Sequence, residues 1–155
     1  MPSGAQRYRA RWSITHCATV ASLPTPEQIE VAESLARLAA IDFATAEKLA
    51  PDPEMDDRPV GFHAQQTVEK AVKVVLILEG IDFPKTHDLE YLIVLAEKQS
   101  IIIDAEVKSA SWLTPWAAEF RYDDAPIETL DRKRAIAVAN AAVTWCHELL
   151  DEKRG

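Results

Sequence analysis

Glycine is scarce in this chain, four in 155 residues, and the nine prolines fall in clusters. Few positions therefore suit the bulges and tight hairpins of a sheet protein, while Ala, Leu, Val, Ile, Glu and Lys favour helices. No apolar run approaches the length of a membrane span, and the N-terminal residues lack the continuous apolar core of a secretory signal. Cysteine is nearly absent. Cys17 and Cys146 lie far apart without metal-like spacing, which fits two reduced thiols in a cytoplasmic protein. A Gly-rich phosphate loop, HExxH and CxxC are all missing. His16, His63, His87 and His147 are too scattered to argue for a metal site, so neither metal nor cofactor is expected.

Acids are missing from the first 26 residues, where Arg7, Arg9 and Arg11 lie, although the whole chain carries a formal charge of −8. Setting those three arginines aside leaves 14 Lys and Arg against 25 Asp and Glu, or −11. So acidic a body is a poor platform for the many phosphate contacts of extended DNA binding. A few focused cations can still hold a small anion at short range, which leaves nucleotides open.

The length suits one domain with a self-sufficient core. Residues 1–25 read as an irregular arm and residues 26–153 as a helical bundle. Thr25 as N-cap, Pro26 at the first helical position and Gln28 at N3 open a first helix running to Leu49. Its apolar face takes in Ile29, Leu35 or Ala36, Leu38 or Ala39, Phe43, Ala46 and Leu49. Pro51-Asp52-Pro53 ends it, and the acidic link through Pro59-Val60-Gly61 reads as a loop. A second helix is expected over 62–79, capped by Gly80, and a third from a Thr86 cap to about Gln99. Ile101-Ile102-Ile103 reads as the apolar lead-in to a fourth helix from Asp104 to Phe120, kinked or broken at Pro115. A loop over 121–129 precedes the last helix, expected over 127–153. Five amphipathic stretches with short links describe an all-α, up-and-down four-helix bundle with a short additional helix.

On the second helix, His63, Gln66, Lys70 and Lys73 fall within a quarter turn of one another, while Ala64, Val68, Ala71, Val75 and Leu78 form a stripe on another side. The polar stripe has two readings. It is a solvated or dimer-facing surface with Glu69 paired to a neighbouring Lys, or it is a ligand site. In the second, Lys70 and Lys73 offer charge to phosphates and Gln66 a bidentate amide, while His63 acts as a hydrogen-bond or acid–base group. Thr86-His87-Asp88 serves capping, with His87 bonding across the bundle, or lends His87 to a ligand. Phe120-Arg121-Tyr122-Asp123 pins a helix end, or stacks Tyr122 on a base while Arg121 holds a phosphate.

Phe62-His63-Ala64-Gln65-Gln66, Val68-Glu69-Lys70-Ala71 with Lys73, Gly80, Pro84 and Thr86-His87-Asp88-Leu89 carry a resemblance by their order and separation. Leu113-Thr114-Pro115-Trp116 and Glu119-Phe120-Arg121-Tyr122 follow at matching distance. From Pro26 to Glu152 the chain resembles the HEPN family (higher eukaryotes and prokaryotes nucleotide-binding domain). The resemblance implies a four-helix bundle with a short extra helix, commonly a dimer. Many such domains are metal-independent ribonucleases with Arg, four to six residues, then His. After Arg121 no His appears until His147, and Arg11 to His16 fits the spacing only within the arm, so the domain is expected to lack the motif.

The resemblance therefore implies binding and positioning in place of bond cleavage. The chain is expected to be the nucleotide- or partner-binding subunit of a prokaryotic, toxin–antitoxin-like pair with a minimal nucleotidyltransferase, self-associating as a homodimer. A nucleotide would meet His63, Gln66, Lys70, Lys73, His87, Arg121 and Tyr122, and no catalytic residue is nominated. A ribonuclease toxin using His63 or His87 with Arg121, and a purely structural partner, remain the alternatives.

Overall fold

Every described α-helix starts where a side-chain oxygen takes up an orphan amide. The computed structural model describes residues 22–117 and 129–155. Helix α1, Pro26–Leu49, opens on the full Thr25–Gln28 capping box, with Pro26 in the first turn. Asp56 accepts from Arg58 N (2.8 Å) to open α2, Asp57–Leu78. Asp88 accepts from Tyr91 N (3.2 Å) at the head of α3, Leu89–Lys98. Asp104 caps the single turn α4, Ala105–Lys108, and a 3₁₀ helix, Ala110–Trp116, follows it. Asp131 caps α5, Arg132–Arg154. The described residues contain helices and no strands.

Five features differ from expectation. Helix α2 begins five residues early, through Pro59-Val60-Gly61. Pro59 sits in the first turn, where a missing N–H costs nothing. Gly61 is demanded by packing, since a Cβ there would lie 2.5 Å from the Trp116 ring. Helix α3 is capped by Asp88 and not by Thr86, whose hydroxyl instead accepts from Asp88 N at 3.1 Å. Ile101-Ile102-Ile103 belongs to no helix, and Ile102 is 91% exposed. Helix α5 starts at Arg132, after non-helical residues 129–131. The fourth stretch breaks at Ser109 into α4 and the 3₁₀ helix that holds Pro115.

Helix α2 runs through the centre, with α1 and α5 packed on it and on each other. Its expected stripe of Ala64, Val68, Ala71, Val75 and Leu78 is wholly buried. Facing it, α1 buries Ala32, Ala36, Ala39 and Ala46, small residues that let two helices approach closely. The core face of α1 is thus alaninyl, and Leu38 (47% exposed) lies off it. Helix α3 and the 3₁₀ helix cover another side of α2, joined where Leu89 N donates to Thr114 Oγ1 at 3.3 Å. At Gly80, φ is +68° and Ile81 N donates back to Leu76 O (2.9 Å), the left-handed stop that ends α2. Cys146 is core, and burial pushes its thiol up to about 12. No described helix is long and apolar enough to cross a membrane.

Candidate functional site

The expected polar stripe of α2 is one continuous hydrogen-bonded ladder, and two carboxylates hold it together. Asp42 of α1 reaches across the helix seam, with Oδ1 2.8 Å from His63 Nδ1 and Oδ2 accepting from Lys70 Nζ at 2.7 Å. Lys70 Nζ also donates to Gln66 Oε1 (2.8 Å). The Gln66 amide then donates to Gln65 Oε1 (2.7 Å) and Glu69 Oε2 (3.3 Å). At the far end Glu69 accepts from Lys73 Nζ (2.8 Å) and Gln65 Nε2 (2.9 Å), with His87 Nδ1 3.0 Å from Oε2.

Helical period explains half of this. Gln65, Glu69 and Lys73 follow one another at four-residue steps, as do Gln66 and Lys70, so each neighbour lies one turn away. The other half is tertiary. Lys73 Nζ donates to Thr86 O (2.9 Å) and Gln65 Nε2 to His87 O (3.2 Å), pinning the Thr86-His87-Asp88 segment onto α2. Lys73 also lies 5.8 Å from the centre of the Phe83 ring. Among the nominated residues, His63, Gln66, Lys70, Lys73 and His87 thus meet in one structure. Arg121 and Tyr122 lie outside the described residues.

Glu69 is 3% exposed. Burial pushes its carboxyl up, but hydrogen bonds from Lys73 and Gln65, the Lys73 charge and the bond to His87 outweigh that, and its pKa lies below the ordinary value. A carboxylate so enclosed stays ionised because an ammonium sits on it. Two ammoniums face two carboxylates along the ladder, which is formally neutral before the imidazoles are counted. The site is therefore not the bare cationic strip that the stripe suggests. It is a row of positioned donors and acceptors whose His63, Gln66 and His87 side is partly open to solvent. Both ammoniums are already occupied, Lys70 by Asp42 and Lys73 by Glu69, so any anion approaching the row would have to share them with those carboxylates.

The sequence reading missed Asp42, whose contacts lie 21 and 28 residues away. It also passed over an Arg-x4-His spacing inside the domain, Arg58-Pro59-Val60-Gly61-Phe62-His63, because that stretch reads as a loop. Both ends lie on α2, where five residues place them about 140° apart around the axis. Arg58 is exposed, and His63 turns to Asp42 at the α1 seam. The two side chains do not converge.

Arg132, at the first position of α5, builds a second polar cluster. Its Nε donates to Asp57 Oδ1 (2.6 Å), its Nη1 to Ala50 O (3.1 Å) and Asp52 O (2.7 Å), and its Nη2 to Met55 O. Asp57 Oδ2 accepts from Leu130 N at 3.0 Å. Burial raises the Asp57 carboxyl, yet the bonds from Arg132 and Leu130 and the guanidinium charge leave it below its ordinary value. This clasp ties the α1–α2 loop to α5 and spends the guanidinium on backbone carbonyls. Among the described residues no group of three His, Cys, Asp or Glu side chains is arranged to hold a metal.

Against known families, the profile of the HEPN domain matches residues 32–149. No curated protein and no solved structure matches the chain.

Proposed function

The chain belongs to the HEPN domain family, and from that premise we propose that it is the nucleotide- or partner-binding subunit of a prokaryotic two-component system, not its catalyst. In this reading α1, α2, α3 and α5 are the four helices of an up-and-down bundle. The second component is a minimal nucleotidyltransferase, in a toxin–antitoxin-like pair. The observation that carries the proposal is the ladder itself. Lys70 and Lys73 are already held in place by Asp42 and Glu69, so a ligand meets fixed donors and pays little ordering entropy. A nucleotide would lie along the His63, Gln66 and His87 side, with Arg121 and Tyr122 as its further contacts. Val31, Leu38 and Ile41 are exposed on α1 alongside Asp42, an apolar surface suited to a second copy in a homodimer.

Thermal unfolding against mono-, di- and triphosphates of adenosine and guanosine tests the reading. A ligand at a hundred times its dissociation constant adds about 2.7 kcal/mol, several degrees for a domain of this size. A shift that disappears in Lys70→Ala and Arg121→Ala supports a nucleotide site. With no shift from any nucleotide, the nucleotide half is lost and a purely structural partner role is left. The ribonuclease alternative, with His63 or His87 as acid–base group and Arg121 on the phosphate, requires RNA cleavage without metal that the His→Ala and Arg121→Ala variants abolish.

A further inference from the structure

Where α2, α3 and α5 end together, a cleft of about 500 Å³ opens between the α5 C-terminus and residues 99–102. Its floor is apolar, made by Ile101, Trp145 and Leu149, and Ile102 stands 91% exposed at its edge. Trp145 is fixed there by donating Nε1–H to Ile102 O at 3.2 Å. The rim is acidic. Glu79 is paired with Lys153 at 2.9 Å, whereas Glu148 and Glu152, one turn apart on α5, form no ion pair among the described residues. An apolar floor with two unneutralised carboxylates above it suits a segment that alternates guanidinium and aromatic side chains.

This chain carries such a segment. Arg7-Tyr8-Arg9-Ala10-Arg11-Trp12 places three arginines at every second position, with Tyr and Ala between them and Trp after the last, in a stretch of 26 residues without an acid. In an extended backbone that alternation presents the arginines to one side and the apolar residues to the other. The attachment point is close by. Glu27 and Gln28 of α1 line a pocket with Gly80 and Ile81, immediately after Glu79 of the cleft rim, and Arg154 of α5 reaches Glu33 of α1 at 3.1 Å. Fourteen residues lie between Arg11 and Pro26, a reach of up to roughly 50 Å when extended. Tethering keeps the segment at a high effective concentration there.

We propose that the cleft between the α5 C-terminus and residues 99–102 is an intramolecular docking site for the chain's own Arg7–Trp12 segment. Its arginines pair with Glu148 and Glu152, and its aromatics lie on Trp145 and Leu149. The arm thereby neutralises part of the acidic body.

Amide hydrogen exchange on the full chain tests this. Residues 7–12 and 99–103 should be protected together at low salt and lose that protection in 0.5 M salt, where surface charges are screened. Glu148→Lys with Glu152→Lys, both at exposed positions, should release residues 7–12 at least tenfold while the amides of α2 keep their rates. Adding Arg9→Glu and Arg11→Glu to that variant should restore the protection. Residues 7–12 exchanging at the rate of an unstructured peptide in the wild type would overturn the proposal, as would protection indifferent to the charge reversal. Protection that rises with protein concentration would also overturn it, because the occupant would then come from another copy.

Discussion

Two polar clusters sit about 18 Å apart along α2, at Asp57 and Glu69, each joining a carboxylate on this helix to a cation. At the Asp57 clasp the guanidinium of Arg132 is consumed by three loop carbonyls and one carboxylate. At the Glu69 ladder the cations are lysines, the partners are mostly side chains, and the row ends on two imidazoles. A cluster that terminates on backbone atoms holds a fold in place. One that is built of side chains and opens to solvent can also exchange partners, which makes it the better place for a ligand.

The sharpest way to break this comparison is at its most buried member. Glu69→Ala leaves Gln65 and the Lys73 ammonium short of a partner at the most enclosed point of the ladder. The expected loss is about 3 kcal/mol or more, from denaturant unfolding. Arg132→Ala leaves Asp57 and the carbonyls of residues 50, 52 and 55 exposed to water that can reach them, since both partners are about a quarter exposed. About 2 kcal/mol is expected there. A larger loss at Arg132 than at Glu69 would make the clasp, and not the ladder, the principal polar constraint on the fold. Combined, the two substitutions should add to within about 0.5 kcal/mol, because the clusters share no residue. Strong coupling would show that α2 carries them as one unit.

The same contrast explains what could be read in the residues and what could not. Thr25, Pro26 and Gln28 spell out a local capping box, so the start of α1 agrees to the residue. Helical period alone brings His63, Gln66, Lys70 and Lys73 onto one seam. The start of α2 was misjudged because Pro59 and Gly61 are loop residues by local rule, and only the distant Trp116 ring requires the glycine. Asp42 and Arg132 escaped notice for the same reason, their partners lying tens of residues away on other helices. Glu69 was visible as a lysine's neighbour, but nothing local announces that it is buried and central. Local chemistry sets the helices, and tertiary contacts decide which of their polar faces are already occupied.

A smaller effect distinguishes the clusters without removing either. Ser100 ends α3 with φ +61°, a left-handed conformation in which a side chain costs energy and glycine does not. Ser100→Gly should stabilise the chain by roughly 0.5–1 kcal/mol in denaturant unfolding. Because this site lies beyond both clusters, that gain should persist unchanged in the Glu69→Ala and Arg132→Ala backgrounds. A gain that shrinks in one background would extend that cluster's influence to the end of α3.

The smallest expected effect is the pH dependence, and its sign is fixed by the two carboxylates. Both Glu69 and Asp57 have pKa values lowered in the folded chain, so each contributes stability above its unfolded value, 4.5 and 3.8 respectively, and loses it as pH falls toward the folded value. Between pH 7 and pH 4 the two together give up at most about 1 kcal/mol, and more follows below that. Glu69 begins to bind its proton in the unfolded chain at higher pH, so it owns the larger share of the early loss. Glu69→Gln should therefore flatten the stability profile between pH 5 and pH 4 more than Asp57→Asn does. The reverse order would mean that the clasp, although more exposed, holds its carboxylate under the stronger field. Arg132 would then outweigh Lys73 and Gln65 together in keeping a charge on α2.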